Sequence, residues 1–226
     1  MKKQAWIFLF ALALITNIVG GVLKNEFVDY FSKPFIIVGL AGYFLSYTKD
    51  IQSLLKKWIV LALIFSCIGD VLLMFQQKEE LFFLLGLSSF LLAHIFYILF
   101  FHHVRMMERI KSNAWLLVIV VIYYAALIVL LSPYLGDKKI PVRVYGIVIS
   151  FMFMLAMHML YVKNKKAGRW MMIGALLFVI SDSVLAINKF YQSFQFAGVV
   201  IMLTYGLAQF FIVEGSIKYI TSKEKG

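Results

Sequence analysis

The sequence predicts an all-α, polytopic membrane protein with eight transmembrane helices. Of its 226 residues, 63% are hydrophobic, and a mean hydropathy of +0.91 leaves too little polar surface for a soluble domain. Its apolar stretches are long enough for membrane-spanning helices, which need roughly 18 residues or more. We therefore expect one helical transmembrane domain over residues 1–226, with no soluble domain or linker.

Eight apolar stretches account for the predicted helices. The first resembles the core of a signal peptide, but it is longer than usual and lacks a small-x-small cleavage site, so we assign it as a helix. The second is expected to begin at Lys33-Pro34, because proline is tolerated in the first turn of a helix. The predicted ranges are Ala5–Leu23, Lys33–Tyr47, Ile59–Phe75, Leu81–Phe101, Ala114–Leu131, Val142–Val162, Trp170–Ile187 and Phe196–Ile217.

The basic residues predict the orientation of the chain. Eight spans place both termini on the same side, and 15 of the 22 lysines and arginines fall on that side. The positive-inside rule then places both termini in the cytoplasm. Because these residues lie in short loops of a cell-membrane protein, the net charge of +11 does not indicate a nucleic-acid partner. The single cysteine, Cys67, excludes an intrachain disulfide.

Two aspartates lie inside predicted spans. Asp70 falls in the third and Asp182 in the seventh, each twelve residues after a tryptophan, Trp58 or Trp170. At helical rise both carboxyl groups therefore lie roughly 18 Å along their helices. Inserting an aspartate at the centre of a membrane helix is unfavourable by roughly 2.5 to 3.5 kcal/mol. Nothing in the neighbouring sequence requires this cost for folding. The matched depth predicts a functional pair, either two groups that share a proton or an ion site.

The same spacing suggests a degenerate 4+4 repeat. Each half carries the tryptophan and the aspartate on its third helix. Each fourth helix has a glycine eleven residues before a polar side chain, Gly86 before Tyr97 and Gly198 before Gln209. With four spans per half, the two copies would be parallel.

Other polar residues in the spans are candidates for the same site. His94 and Tyr97 share a helical face with Gly86, and Tyr205 and Gln209 share one with Gly198. A buried structural histidine is an equally good interpretation of His94. Lys33 and Lys189 are expected at the outer mouth near the two acids, where a cation could hold a phosphate, although Lys189 more typically snorkels to the interface. The last candidates are Asn17, whose neighbouring glycines favour a close helix contact, and Asn188.

Several chemistries are excluded by missing motifs. The sequence has no His-Glu-x-x-His zinc motif, no glycine-rich phosphate loop, no Gly-x-Ser-x-Gly elbow and no Cys/His cluster. We expect no metal and no cofactor. Acid–base chemistry by carboxyl groups is what remains.

Four segments carry a family resemblance: LIFSCIGDVLLMF, FLLGLSSFLLAHIFYILF, GALLFVISDSVLAINKF and LTYGLAQFFI. Together with Lys33-Pro34 they resemble the YhhN-like family, which includes the lysoplasmalogenases, and Asp70, His94 and Asp182 fall on its polar positions. The resemblance implies a hydrolase that cleaves the vinyl ether of a lysophospholipid, 1-alkenyl-glycerophosphoethanolamine or -choline, to a fatty aldehyde and a glycerophospho-amine.

This chemistry needs one neutral acid to protonate carbon and one carboxylate to stabilise the resulting cation and activate water. We therefore expect Asp70 and Asp182 to form the catalytic pair. His94, Tyr97 and Tyr205 would line or tune it, and Lys33 would lie near the phosphate.

Other classes of function would use the same acids differently. A proton- or cation-coupled transporter of small molecules or lipids fits intramembrane acids and a parallel repeat, but few glycine or proline breaks occur in corresponding helices. A non-catalytic lipid-binding protein predicts that the acids lie far apart or are ion-paired, with no cavity between them. An aspartyl intramembrane protease is disfavoured because its Tyr-Asp and Gly-x-Gly-Asp motifs are absent.

Overall fold

The computed structural model describes residues 3–224, and within that range it is all-helical. Eight of its helices are long and apolar enough to cross a membrane, which confirms the predicted fold class. They are α1 (Lys3–Val22), α2 (Glu26–Tyr47), α3 (Leu54–Met74), α4 (Glu80–Met107), α5 (Ala114–Leu131), α6 (Lys139–His158), α7 (Lys165–Ala186) and α8 (Ala197–Glu224). A π turn, Ile187–Tyr191, continues α7.

The start of α2 differs from the prediction. The helix begins at Glu26, where the side chain of Asn25 accepts a hydrogen bond from the backbone N–H of Val28 at 3.2 Å. Acidic residues in the first turn interact favourably with the positive end of the helix dipole. Together with the Asn25 cap they let this polar stretch form a helix without a long apolar run. Pro34 therefore lies inside α2, and the prediction that it stands in the first turn is wrong. Lys33 lies about two turns into the helix.

Several helices extend beyond their apolar stretches on the side of the termini. Hydropathy marks only the part of a helix that lies in lipid, and α3, α4, α7 and α8 continue past it into charged sequence. Ser53 and Asn164 cap the starts of α3 and α7 by accepting backbone N–H groups. Asp70 and Asp182 lie near the opposite ends of α3 and α7, away from these extensions.

Three pairs of consecutive helices pack as hairpins. The pairs α1–α2, α3–α4 and α7–α8 are in extensive contact, and α4 also packs on α6. By contrast, α5 buries only Val120 and Leu131 and packs mainly against α6. The contacts α2–α3, α3–α4 and α4–α6 correspond in order to α6–α7, α7–α8 and α8–α2. That order is the one expected of a parallel repeat, which stays a prediction.

Two glycines allow α7 and α8 to pack backbone against backbone. A Cβ atom on Gly174 would lie 2.7 Å from the backbone nitrogen of Ile212 and 2.8 Å from the carbonyl oxygen of Ala208. A Cβ atom on Gly215 would lie 2.8 Å from the carbonyl oxygen of Ala167. Small residues at such contacts are how membrane helices approach closely. This packing fixes the relative position of Asp182 on α7 and Tyr205 on α8.

Glu108 joins three elements at the terminal side of the bundle. Its carboxylate accepts hydrogen bonds from the hydroxyl of Tyr219 at 3.1 Å and the backbone N–H of Lys163 at 3.2 Å, and it pairs with the Lys223 ammonium at 2.8 Å. Burial opposes ionisation of this carboxyl, but the three donors outweigh burial and hold the pKa of Glu108 below its ordinary value of 4.5.

We expect Glu108→Gln to lower the apparent Tm most at neutral pH. Because the folded-state pKa is depressed, the ionised carboxyl contributes stability above pH 4.5, and this contribution is lost as the pH falls through the folded-state pKa. Losing hydrogen bonds to a charged group costs about 1.5 to 3 kcal/mol. Thermal unfolding in detergent should therefore show wild type and variant converging as the pH is lowered below 4.5 and through the folded-state pKa. A constant difference at every pH would contradict this role of the charge.

Candidate active site

Both predicted acids line one cavity, in the half of the bundle opposite the termini. The cavity encloses about 830 Å³ including its open mouth. Its walls are mainly apolar, with Leu73, Leu87, Phe90, Leu185, Ile201 and Met202 among the lining residues. The two carboxyl groups therefore meet a shared space, as the sequence analysis expected. The alternative of a protein with no cavity beside the acids does not match this arrangement.

Asp70 is the more buried of the two acids. It lies four residues before the end of α3, with 2% of its surface exposed, and its Oδ2 accepts a hydrogen bond from the Tyr205 hydroxyl at 2.6 Å. The neighbouring Gly69 lets the Phe90 ring approach the helix, because a Cβ there would lie 2.6 Å from that ring. Phe90 in turn contacts the edge of Tyr205. Asp70 therefore lies beside the packed rings of Phe90 and Tyr205 and has one hydrogen-bond donor, the Tyr205 hydroxyl.

Asp182 is more exposed to the cavity and has two polar neighbours. Its side chain is 16% exposed, and its Oδ2 accepts a hydrogen bond from the Tyr145 hydroxyl of α6. His94 Nε2 lies 2.8 Å from that hydroxyl and 3.4 Å from the same Oδ2. When Asp182 is ionised and takes the single proton of the tyrosine as a hydrogen bond, His94 Nε2 is the group that donates to the tyrosine oxygen. His94 therefore acts on Asp182 largely through Tyr145.

Three hydrogen-bonded side chains, Tyr97, Gln209 and Ser66, lie between the cavity and the end of the bundle that carries the termini. The Tyr97 hydroxyl donates to Gln209 Oε1 at 2.5 Å, and Gln209 Nε2 donates to the Ser66 hydroxyl at 2.9 Å. All three side chains are fully buried, and none of them lines the cavity. Ser66 lies one turn below Asp70, and Gln209 lies one turn below Tyr205. Tyr97 and Gln209 thus support the site from beneath.

Two lysines line the cavity. Lys33 lies about two turns inside α2, which begins earlier than predicted. The expectation that Lys33 lies near the phosphate of a bound substrate stays a prediction. Lys189, in the π turn after α7, lies at the mouth, where its ammonium donates to Gln76 Oε1 at 3.1 Å and lies 4.2 Å from the centre of the Phe83 ring.

The two predicted asparagines lie outside the cavity. Asn17 Nδ2 donates to Asp29 Oδ1 at 2.5 Å and to the Ser32 hydroxyl at 3.1 Å, which joins α1 to α2. Asn188 Oδ1 accepts the backbone N–H of Phe194 at 3.2 Å and so orders the loop before α8. Both are explained by these structural contacts. Among residues 3–224, no three His, Cys, Asp or Glu side chains form a group that could hold a metal ion.

Tyr145 contacts Asp182, and the sequence analysis did not identify it. It lies in α6 near the end opposite the termini, four residues after Pro141, where a tyrosine is ordinarily an interfacial aromatic. Its side chain is instead buried and directed at Asp182. The spacing offers one signal, since Tyr145 follows Lys33 by the same 112 residues that separate Asp70 from Asp182.

Comparison with known proteins identifies the family. The YhhN family model matches residues 28–216. A lysoplasmalogenase of Mycobacterium bovis is 30% identical over 163 residues, covering 71% of this chain and 60% of that protein. Human lysoplasmalogenase TMEM86A is 30% identical over 165 residues, covering 71% of this chain and 65% of that protein. The chain thus spans less than two thirds of the length of these relatives, and no solved structure matches it. The chain belongs to the YhhN family.

Proposed function

We propose that this protein is a membrane hydrolase that cleaves the vinyl ether bond of lysoplasmalogens, releasing a fatty aldehyde and a glycerophospho-amine. The observation that carries the proposal is the position of Asp70 and Asp182 on one apolar cavity. The names of the relatives supply the substrate class. The excess of lysine and arginine near the termini supports a cytoplasmic location for both ends of the chain.

The charges around the cavity favour one ionised acid. Both acids line one mainly apolar cavity, whose lining also includes Lys33 and Lys189. Two carboxylates there would repel each other and both would lose hydration, so ionising the second acid is less favourable than ionising the first. The site therefore favours one proton shared between the two acids, as an acid–base pair requires.

The surroundings of the two acids divide the roles. Asp182 is partly exposed, accepts the Tyr145 hydrogen bond and has the His94 N–H within 3.4 Å, all of which stabilise a carboxylate. Asp70 is buried and has one donor, Tyr205, so ionising it is less favourable. Lys33 has no ion pair with either acid within 4.0 Å in the described chain. We assign Asp70 as the proton donor and Asp182 as the carboxylate.

The reaction then proceeds in balanced steps. Asp70 transfers its proton to the β-carbon of the vinyl ether, and the ether oxygen stabilises the oxocarbenium ion that forms at the α-carbon. The Asp182 carboxylate stabilises this cation and takes a proton from the water that attacks it, which gives a hemiacetal. Asp182 next protonates the glycerol oxygen while Asp70 removes the hemiacetal proton. The carbon–oxygen bond breaks, the aldehyde leaves, and both acids return to their starting states.

The position of the cavity favours a hydrolase over a transporter. A transporter site must open in turn to both sides of the membrane. Here every lining residue lies in the half of its helix farther from the termini, and the Tyr97–Gln209–Ser66 group blocks the other side. A lipid bound from one side, with its chain along apolar walls, fits this geometry.

Purified protein incubated with a lysoplasmalogen and an acyl lysophospholipid tests the proposed function. We expect fatty aldehyde from the first substrate and no fatty acid from the second, because the proposed reaction begins with protonation of an electron-rich vinyl carbon, which an ester does not have. The two products are followed separately by mass spectrometry. Release of fatty acid alone would replace the proposal with an esterase.

A further inference from the structure

The outer mouth of the cavity carries a cation with no acidic partner. The ammonium of Lys189 contacts Gln76 and the Phe83 ring, and no carboxylate lies within 4.0 Å of it in residues 3–224. Nearby, Lys138 is paired with Glu80, and at the other end of the bundle Lys218 and Lys223 also have carboxylate partners. Lys189 is therefore an available positive charge at the entrance to the candidate active site.

The distance along α7 fits a glycerophosphate. Lys189 follows Asp182 by seven residues, a rise of about 10 Å, and both residues line the cavity. The vinyl ether oxygen and the phosphate of a lysoplasmalogen stand at opposite ends of a three-carbon glycerol. A flexible lysine side chain spans the remaining distance, so a substrate whose vinyl ether lies at Asp182 brings its phosphate to Lys189.

The lining of the cavity orients the lipid. Polar side chains at the mouth, Lys189 and Gln76, suit a headgroup, and the walls deeper inside are aliphatic and aromatic. The Gln76 amide accepts from Lys189 through its oxygen, which leaves its NH₂ group free to donate to a phosphate oxygen. The π turn that carries Lys189 is a local distortion of a kind that is frequent at functional sites.

We propose that Lys189 and Gln76 bind the phosphate of the substrate, so that the lysophospholipid enters from the leaflet opposite the termini with its headgroup at the mouth. This inference rests on the proposed function and extends it to the residues that bind the phosphate and to the side from which the lipid enters.

Kinetics with a pair of substrates test this proposal. The first substrate is 1-alkenyl-glycerophosphoethanolamine, and the second is 1-alkenylglycerol, which has no phosphate. Lys189→Gln should raise KM for the first substrate about tenfold, with kcat within about twofold, because a charge-assisted contact in the bound state is lost. KM for 1-alkenylglycerol should not change, and Lys189→Arg should restore most of the affinity for the phosphate-bearing substrate.

The matched control is Lys139→Gln, which removes a lysine at the same end of the bundle that is exposed and lies outside the cavity. Glycerophosphoethanolamine should also inhibit the wild-type enzyme competitively and inhibit Lys189→Gln more weakly. An unchanged KM, or an equal rise in KM for both substrates, would overturn the phosphate site while leaving the proposed function intact. Absence of aldehyde from both substrates with the wild-type enzyme would overturn the proposed function and this inference with it.

Discussion

Asp70→Asn and Asp182→Asn should each reduce aldehyde release by about 10²- to 10⁴-fold, the usual contribution of a general acid or base. Asparagine keeps the size of aspartate and can still accept the hydrogen bond from Tyr205 or Tyr145. It can neither donate an acidic proton to carbon nor take one from water. Turnover of a lysoplasmalogen by each purified variant is the measurement.

Two controls separate chemistry from folding. Asp137→Asn changes an exposed aspartate in the loop before α6 and should leave turnover unchanged. The apparent Tm and the gel-filtration profile of the two active-site variants should stay close to wild type, since replacing a buried acid by a neutral amide removes no packing. If both active-site variants retained near-normal turnover, the aspartate pair would not be the catalytic group.

Gly174→Val should strongly disrupt the packing of α7 against α8. The added side chain meets backbone atoms of α8, at Ile212 and Ala208, and backbone cannot move aside as a flexible side chain does. Overpacking in a close contact costs about 1 to 3 kcal/mol or more. Because α7 and α8 carry Asp182 and Tyr205, we expect a fall of several degrees in apparent Tm together with loss of activity.

Gly198→Val provides the comparison for this prediction. Gly198 lies on α8, and a Cβ atom built there has no neighbour within 4 Å, so the same substitution should leave Tm and activity near wild type. Equal effects of the two substitutions would mean that loss of glycine itself, and not the α7–α8 contact, is responsible.

The sequence predicted the eight spans well because lipid imposes one simple requirement on each of them. A stretch of about 20 apolar residues can satisfy its backbone in the membrane only as a helix, so hydropathy finds the span. It does not find the helix ends, which capping residues outside the lipid determine. The start of α2 at Glu26 was missed for this reason, since Asn25 and two acidic residues begin the helix in polar sequence.

The site was predicted in part, for a related reason. Asp70 and Asp182 stood out because ionisable residues in lipid are costly, and their matched spacing gave a common depth. Tyr145 could not be recognised in this way, because tyrosine is common near membrane interfaces. Its role depends on which helix packs against α6. Lys33 was recognised, but the helix that carries it begins seven residues earlier than predicted, at Glu26.

The hydrolysis rate in deuterium oxide tests the central claim most directly. If an aspartate pair protonates the vinyl β-carbon in the slow step, kcat should be clearly lower in D₂O than in H₂O. The aldehyde, trapped as it forms, should then carry one deuterium on the carbon next to its carbonyl group. Equal rates in the two solvents, measured under conditions where chemistry limits turnover, would contradict protonation of carbon by Asp70 or Asp182.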